Sequence, residues 1–231
     1  YWVSYHEIIK ISGATPVGIS TTIDQDFKVS VAQIKEAITD KTRMIWFSTP
    51  CNPSGSVYSK QELHDIAQLI KDYPNIIIVS DEIYEHINFN DKHESIAQFD
   101  FIKDQVITVN GVSKGFAMTG WRIGYMGAPK WIADACIKMQ GQFTSGTCSI
   151  AQKGAQAALE ADPSCTLDMR KSFEKRRELV LSLMNEIPGL KLNFPKGAFY
   201  VFPDVTSYFG KTDGETTINN ATDLTMFLLD K

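Results

Sequence analysis

The sequence predicts an α/β layer fold. Short β-branched runs suit a sheet covered on both faces, segments of helical periodicity lie between them, and chemistry-bearing residues gather just after each run. The chain has 231 residues, 43% of them hydrophobic and 22% charged, which is enough for a complete core and part of a second domain. A net charge of -4, with Lys and Arg scattered among Asp and Glu, leaves no basic stripe, so neither nucleic acid nor an anionic membrane is expected as a partner. Cys51, Cys136, Cys148 and Cys165 lie far apart and show no metal-ligand spacing; a reduced, cytoplasmic chain without a structural metal is expected.

In chain order, residues 44–47 read as a short buried strand running into a loop at 48–56. A helix follows from about Ser59, where Ser59 and Glu62 form a capping box and Leu63, Ile66, Ala67 and Ile70 repeat at helical spacing. Residues 75–79 and 106–109 are the second and third strands, each too short to be the roughly 20-residue apolar span of a membrane helix. Beyond Pro129 the pattern is helical, and a turn at Asp162 and Pro163 introduces another helix ending near Asn185. Residues 190–194 and 198–202, separated by Pro195, Lys196 and Gly197, read as strands opening a smaller unit. The expected division is a large domain over 1–162, a bridging helix over 163–188 and the start of a small domain over 189–231. No initiator Met or secretory signal is seen, and the abrupt ends at Tyr1 and Lys231 read as those of a segment from a longer chain.

In open α/β sheets ligands bind at the carboxyl ends of strands, and all three strands deliver candidates there. After the first, Pro50, Pro53 and Gly55 stiffen a loop that can aim the Asn52 amide. After the second comes Asp81, with Tyr84 three residues on; a carboxylate there can cap a turn, or keep a pyridine ring protonated. After the third comes Lys114 among small residues, followed by Arg122, whose fixed fork of donors suits a phosphate. Seen alone, either cation would be read as solvated surface; the three blocks together point to pyridoxal 5′-phosphate (PLP).

With these blocks in place, the sequence resembles the fold-type I PLP enzymes, class I/II aminotransferases, and the branch containing bacterial aspartate aminotransferases. The resemblance runs from Tyr1-Trp2-Val3-Ser4-Tyr5 to Gly197-Ala198-Phe199-Tyr200, and the run from Ser113 through Gly124 is its most specific part. It implies a three-layer large domain with a mostly parallel mixed sheet, followed by a smaller α+β domain. It also implies residue roles. Lys114 would form the internal aldimine and shuttle the substrate proton, Asp81 would pair with the pyridine nitrogen, and Tyr84 and Asn52 would bond the ring's phenolic oxygen. Asn52 would also lie near the substrate carboxylate, Trp2 would stack on the ring, and Arg122 would bind the phosphate. The implied reaction is ping-pong transfer of the amino group of aspartate, or a similar amino acid, to 2-oxoglutarate by a homodimer.

Departures from the family pattern are also visible. Ser54 stands where Thr is usual, and Gly111 stands where some relatives have a phosphate-binding Ser, leaving Ser113 or backbone N–H groups for that contact. The family's phosphate-cradling loop would lie before Tyr1 and its carboxylate-clamping arginine after Lys231, which implies that these residues alone transaminate poorly. Other PLP chemistries on the same scaffold, such as carbon–sulfur lysis, share the three blocks, and a non-catalytic effector-binding role would need a DNA-binding module outside them. Gly210-Lys211-Thr212 is not a P-loop, because Val205 occupies the place of its first glycine. His6, His64, His86 and His93 show no metal spacing, and Phe199, Tyr200 and Phe202 read as core residues of a strand.

Overall fold

A computed structural model describes residues 1–90 and 92–231. Its centre is a sheet of four strands in the order β1 (Met44–Ser48), β2 (Ile77–Asp81), β3 (Val106–Gly111) and β4 (Gly124–Gly127). The first three are parallel, and β4 adds an antiparallel edge. Ser48 pairs with Asp81 and Asp81 with Val109, so the carboxyl ends of three strands lie at one edge of the sheet.

Period-two alternation assigns the two faces. Ile76 and Ile78 turn toward helix α3 (Lys60–Ile70), whose Leu63, Ile66, Ala67 and Ile70 are fully buried with Ile34, Ile96, Phe99 and Ile102. Val79 and Ile107 turn the other way, against Ile132 of α4 (Lys130–Phe143). Burying each large apolar side chain of α3 stabilises the fold by roughly 2 kcal/mol. The helix begins where its capping box requires: Ser59 Oγ accepts from Glu62 N–H, and the Glu62 carboxylate accepts from Ser59 N–H at 2.7 Å.

The strands expected at 75–79 and 106–109 both run two residues further, which puts Asp81, Asn110 and Gly111 inside the sheet instead of after it. Parallel pairing to Ser48 and Val109 holds Asp81 extended, and antiparallel pairing to Tyr125 and Gly124 does the same for Asn110 and Gly111, against their local turn preference. Helices α1 (Val3–Ile11) and α2 (Val31–Ala37) and the short edge strand β4 went unforeseen, as did the hairpin and helix that end the chain. For α2 a signal was present, since Ser30 and Gln33 form a second capping box.

Helices α5 (Ser149–Glu160) and α6 (Ser164–Asn185) follow, the latter matching the long helix expected after Pro163. The strands expected at 190–194 and 198–202 do not form a ladder. Lys191 and Asp204 make one isolated bridge, and the segment around Pro195 gives its hydrogen bonds to loops beside the sheet: Lys196 and Gly197 N–H donate to Gly55 O, and Ala198 N–H donates to Ile87 O. Pro195, without an N–H, cannot extend a ladder. Arg177 of α6 pins the same segment, with its guanidinium between the rings of Phe89 and Phe194 at 4.5 and 4.4 Å and a bond to Pro195 O. The chain ends with a hairpin of β5 (Thr212–Asp213) and β6 (Thr216–Thr217) and with α7 (Ala221–Asp230).

Gly55 sits at the centre of this docking, with φ at 68° and room for a Cβ only 2.5 Å from Pro195 Cβ. Gly55→Ala combines left-handed strain with a clash and should lower stability by about 2–4 kcal/mol. Urea denaturation checks this; a loss under about 0.5 kcal/mol would show that the docked segment yields freely.

Candidate active site

Each candidate side chain is aimed by an element described above. Asp81 is the last residue of β2, and its Oδ2 accepts from Tyr5 Oη at 2.5 Å while Oδ1 accepts from Ile83 N–H at 3.1 Å. Tyr5 is buried one helical turn after Trp2, so the two rings share a face of α1 and meet edge to face at 5.8 Å; Tyr5 also stacks on Trp46 of β1 at 4.4 Å. Trp2 is thus linked to Asp81 through Tyr5, with 45% of its surface left exposed.

Asn52 lies in a loop closed by bonds from Cys51 N–H to Ser56 O and from Gly55 N–H to Cys51 O. Its amide donates to Tyr200 Oη at 3.4 Å, and Tyr200 Oη shares a 2.6 Å bond with Tyr84 Oη. The two groups expected to address one ring oxygen therefore converge on a single phenol. Lys114 is half-buried, its ammonium 5.9 Å from the centroid of Phe199, whose ring in turn meets Tyr84 at 5.3 Å. Arg122 stands apart: it is exposed, its backbone is left-handed, and its guanidinium donates to Thr119 O at 2.8 Å. It lines an open cleft with Gly120, Thr147 and Cys148.

Burial dominates the electrostatics. It pushes the Tyr5 phenol well above its ordinary range, and the Asp81 charge adds to the shift; Tyr84 is raised by burial and then by Tyr200. Both phenols stay protonated and can donate. The Asp81 carboxyl is also raised, by burial first, against the pull of Tyr5 and Ile83 and with Glu82 adding to the rise. Among the described residues no salt bridge reaches Asp81 or Lys114. A half-buried carboxylate held by neutral donors, an amine without an acceptor among the described residues and two phenolic donors form a set that fits PLP, whose protonated ring nitrogen would supply the missing opposite charge.

The model of the family described as aminotransferase class I and II matches residues 1–230. The chain belongs to this family. A bifunctional aspartate aminotransferase and glutamate/aspartate-prephenate aminotransferase of Petunia hybrida is 44% identical over the whole chain, which covers 49% of that protein. Among solved structures, an aspartate aminotransferase from Rhizobium meliloti superposes with a TM-score of 0.96 at 35% identity, over all of this chain and 58% of its own. One from Thermus thermophilus with maleate gives 0.84 at 36% identity over 89% of this chain and 54% of its own. The chain thus spans about half the length of the relatives it matches.

Within this member of the family, sequence reasoning missed Tyr5, Tyr200 and Phe199 as candidate site residues. Tyr5 had a signal in its three-residue spacing from Trp2. Phe199 and Tyr200, expected as strand core, instead face Lys114 and Tyr84, because the segment docks on Gly55 and Ile87 and carries those rings with it. Gly111 is explained by packing: a Cβ there would lie 2.8 Å from Ile123 O. His93 does approach two acids, Glu82 and Glu85, with possible ligand atoms within 4.8 Å of one another, but both Glu82 oxygens already accept hydrogen bonds. None of the described helices is long and apolar enough to cross a membrane, and the four cysteines are free.

Because the Asp81 carboxyl is raised in the fold, its contribution to stability is fully present below the unfolded value and is lost as pH rises through the folded value. On this account the Asp81 contribution to the stability of the cofactor-free protein should decline from about pH 4 upward, opposite in sign to that of the lowered carboxyls such as Glu62 and Asp204. Asp81→Asn, which keeps an acceptor for Tyr5, should remove that part of the slope. Urea melts at stepped pH check this, and identical slopes in the two proteins would contradict it.

Proposed function

We propose that the protein carrying this chain is a PLP-dependent aminotransferase that moves the amino group of aspartate, or a similar amino acid, to 2-oxoglutarate, working as a homodimer in the cytoplasm. The observation that carries the reading is the half-buried Asp81 carboxylate, held only by neutral donors at the sheet edge where Tyr84 and Lys114 also lie. The relatives' names support the donor, and that of the Petunia protein adds prephenate to the acceptors to be tried.

When bound, PLP would supply an electron sink for the electron pair left on the substrate α-carbon after its proton departs. Asp81 keeps the ring nitrogen protonated, with Tyr5 orienting the carboxylate. Tyr84 and Asn52 donate toward the ring's phenolic oxygen, and the raised pKa of Tyr84 keeps its proton available for that bond. Trp2 limits tilt on one ring face, and Arg122 holds the phosphate from the cleft it lines. Lys114 would hold the cofactor through its side-chain amine, and that amine would carry the proton from the α-carbon as a positioned base. Transfer of the amino group in two half-reactions at this one site would give ping-pong kinetics.

Added PLP should give the protein, at the full length of its natural chain, a visible absorbance band that borohydride fixes covalently, and Lys114→Ala should abolish the fixation. Conversion of aspartate dependent on 2-oxoglutarate should fall about 10²–10⁴-fold in the variant. A fixable band that survives in Lys114→Ala would overturn the assignment of the lysine. Keto-acid formation without any acceptor would point to a lyase instead.

A further inference from the structure

Directly behind Asp81 is a buried acid that the proposed reaction does not use. Glu82 is 2% exposed, and three side chains hold it: Ser80 Oγ and Ser95 Oγ donate to Oε1 at 2.8 and 2.7 Å, and His93 Nε2 lies 2.9 Å from Oε2. His93 Nδ1 has no partner among the described residues, which leaves Nε2 as the nitrogen that serves the pair. The backbone is fixed as well, with Glu82 N–H donating to Val109 O at 2.8 Å and Glu85 N–H to Glu82 O at 2.9 Å.

Resting on the PLP reading, we propose that Glu82 is a positioning residue for the cofactor site, anchored by Ser80, His93 and Ser95 so that the end of β2 presents Asp81 and Tyr84 in fixed directions. Successive side chains of an extended strand point to opposite faces, so Ser80 lies on the side away from Asp81, and its bond to Glu82 just past the strand end holds the Glu82 carboxylate on that side too. A carboxylate tied on one face by three donors fixes the backbone dihedrals that aim its neighbour on the other. Tyr84 lies in the turn that Glu82 opens, closed by Glu85 N–H donating to Glu82 O, and Tyr84 O in turn accepts from Ile87 N–H. His93 and Ser95 belong to the connection between β2 and β3, so the anchor also ties that connection to the carboxyl edge of the sheet. An isolated buried carboxylate is costly, and this one is tolerated because Ser80 and Ser95 donate to one oxygen and His93 bonds the other, which also offsets the nearby Glu85 carboxylate. Its charge also acts through the strand: behind burial, it is among the causes that raise the Asp81 carboxyl.

The test uses the full-length natural protein and three variants. Glu82→Gln keeps size and one acceptor, while His93→Asn and Ser95→Ala each remove a single anchor. For each, PLP affinity on reconstitution, the pH midpoint of the bound cofactor's visible band and the urea midpoint are measured. The expected result is weaker PLP binding, by about tenfold or more, and a displaced pH midpoint, with Glu82→Gln the mildest. Should Glu82→Gln fail to fold, the two anchor variants carry the test. Variants that lose only urea resistance, with PLP affinity and pH midpoint unchanged, would overturn the proposal and leave Glu82 a structural acid. Absence of a borohydride-fixable band in the unmodified protein would overturn the PLP reading and this inference with it; a normal band there, together with unaffected variants, overturns the inference alone.

Discussion

The constraint on which the rest depends is the parallel register that places Asp81 at the sheet's carboxyl edge, paired with Ser48 on one side and Val109 on the other. That register removes the carboxylate from most of its water without supplying an opposite charge, and burial of this kind costs stability. The surroundings offset the cost with neutral donors: Tyr5 from α1 and the Ile83 N–H. Burial still outweighs them, so the carboxyl holds its proton more tightly than usual. A group so placed would gain most from a cationic ligand, so on the proposed reading a destabilising feature of the cofactor-free fold would become a binding determinant.

Two supports converge on this strand end. In front, Trp2 and Trp46 pack against Tyr5 and fix the ring that donates to Asp81. Behind, Ser80, His93 and Ser95 hold Glu82. The second half of the site arrives from far along the chain, when the segment around Pro195 docks on Gly55 and Ile87 and brings Phe199 and Tyr200 over Lys114, Tyr84 and Asn52. Arg177 strengthens that docking through two aromatic faces, so a residue of the long helix α6 contributes to site geometry without touching it.

The legible part of the sequence was the part governed by local rules. The α3 capping box, the helical repeat of Leu63, Ile66, Ala67 and Ile70, and the β-branched runs of β2 and β3 state their conformations directly. Candidates Asn52, Asp81, Tyr84 and Lys114 stood out because each follows such a run. What stayed hidden depends on tertiary contact. The extension of β2 through Asp81 needs its partner strands, and the failure of 190–194 and 198–202 to pair comes from competition by Gly55 and Ile87 carbonyls that no local pattern encodes. The pairing of Glu82 with His93 joins positions eleven apart and has no periodic signature.

The central claim is that Asp81 keeps the cofactor's ring nitrogen protonated. The most direct measurement is the ¹⁵N NMR shift of ring-labelled PLP bound to the protein at neutral pH, in the unmodified chain and in Asp81→Ala. The account predicts a pyridinium shift in the former and an unprotonated pyridine shift in the latter. An unprotonated nitrogen with Asp81 intact, or a pyridinium that survives its removal, would contradict it.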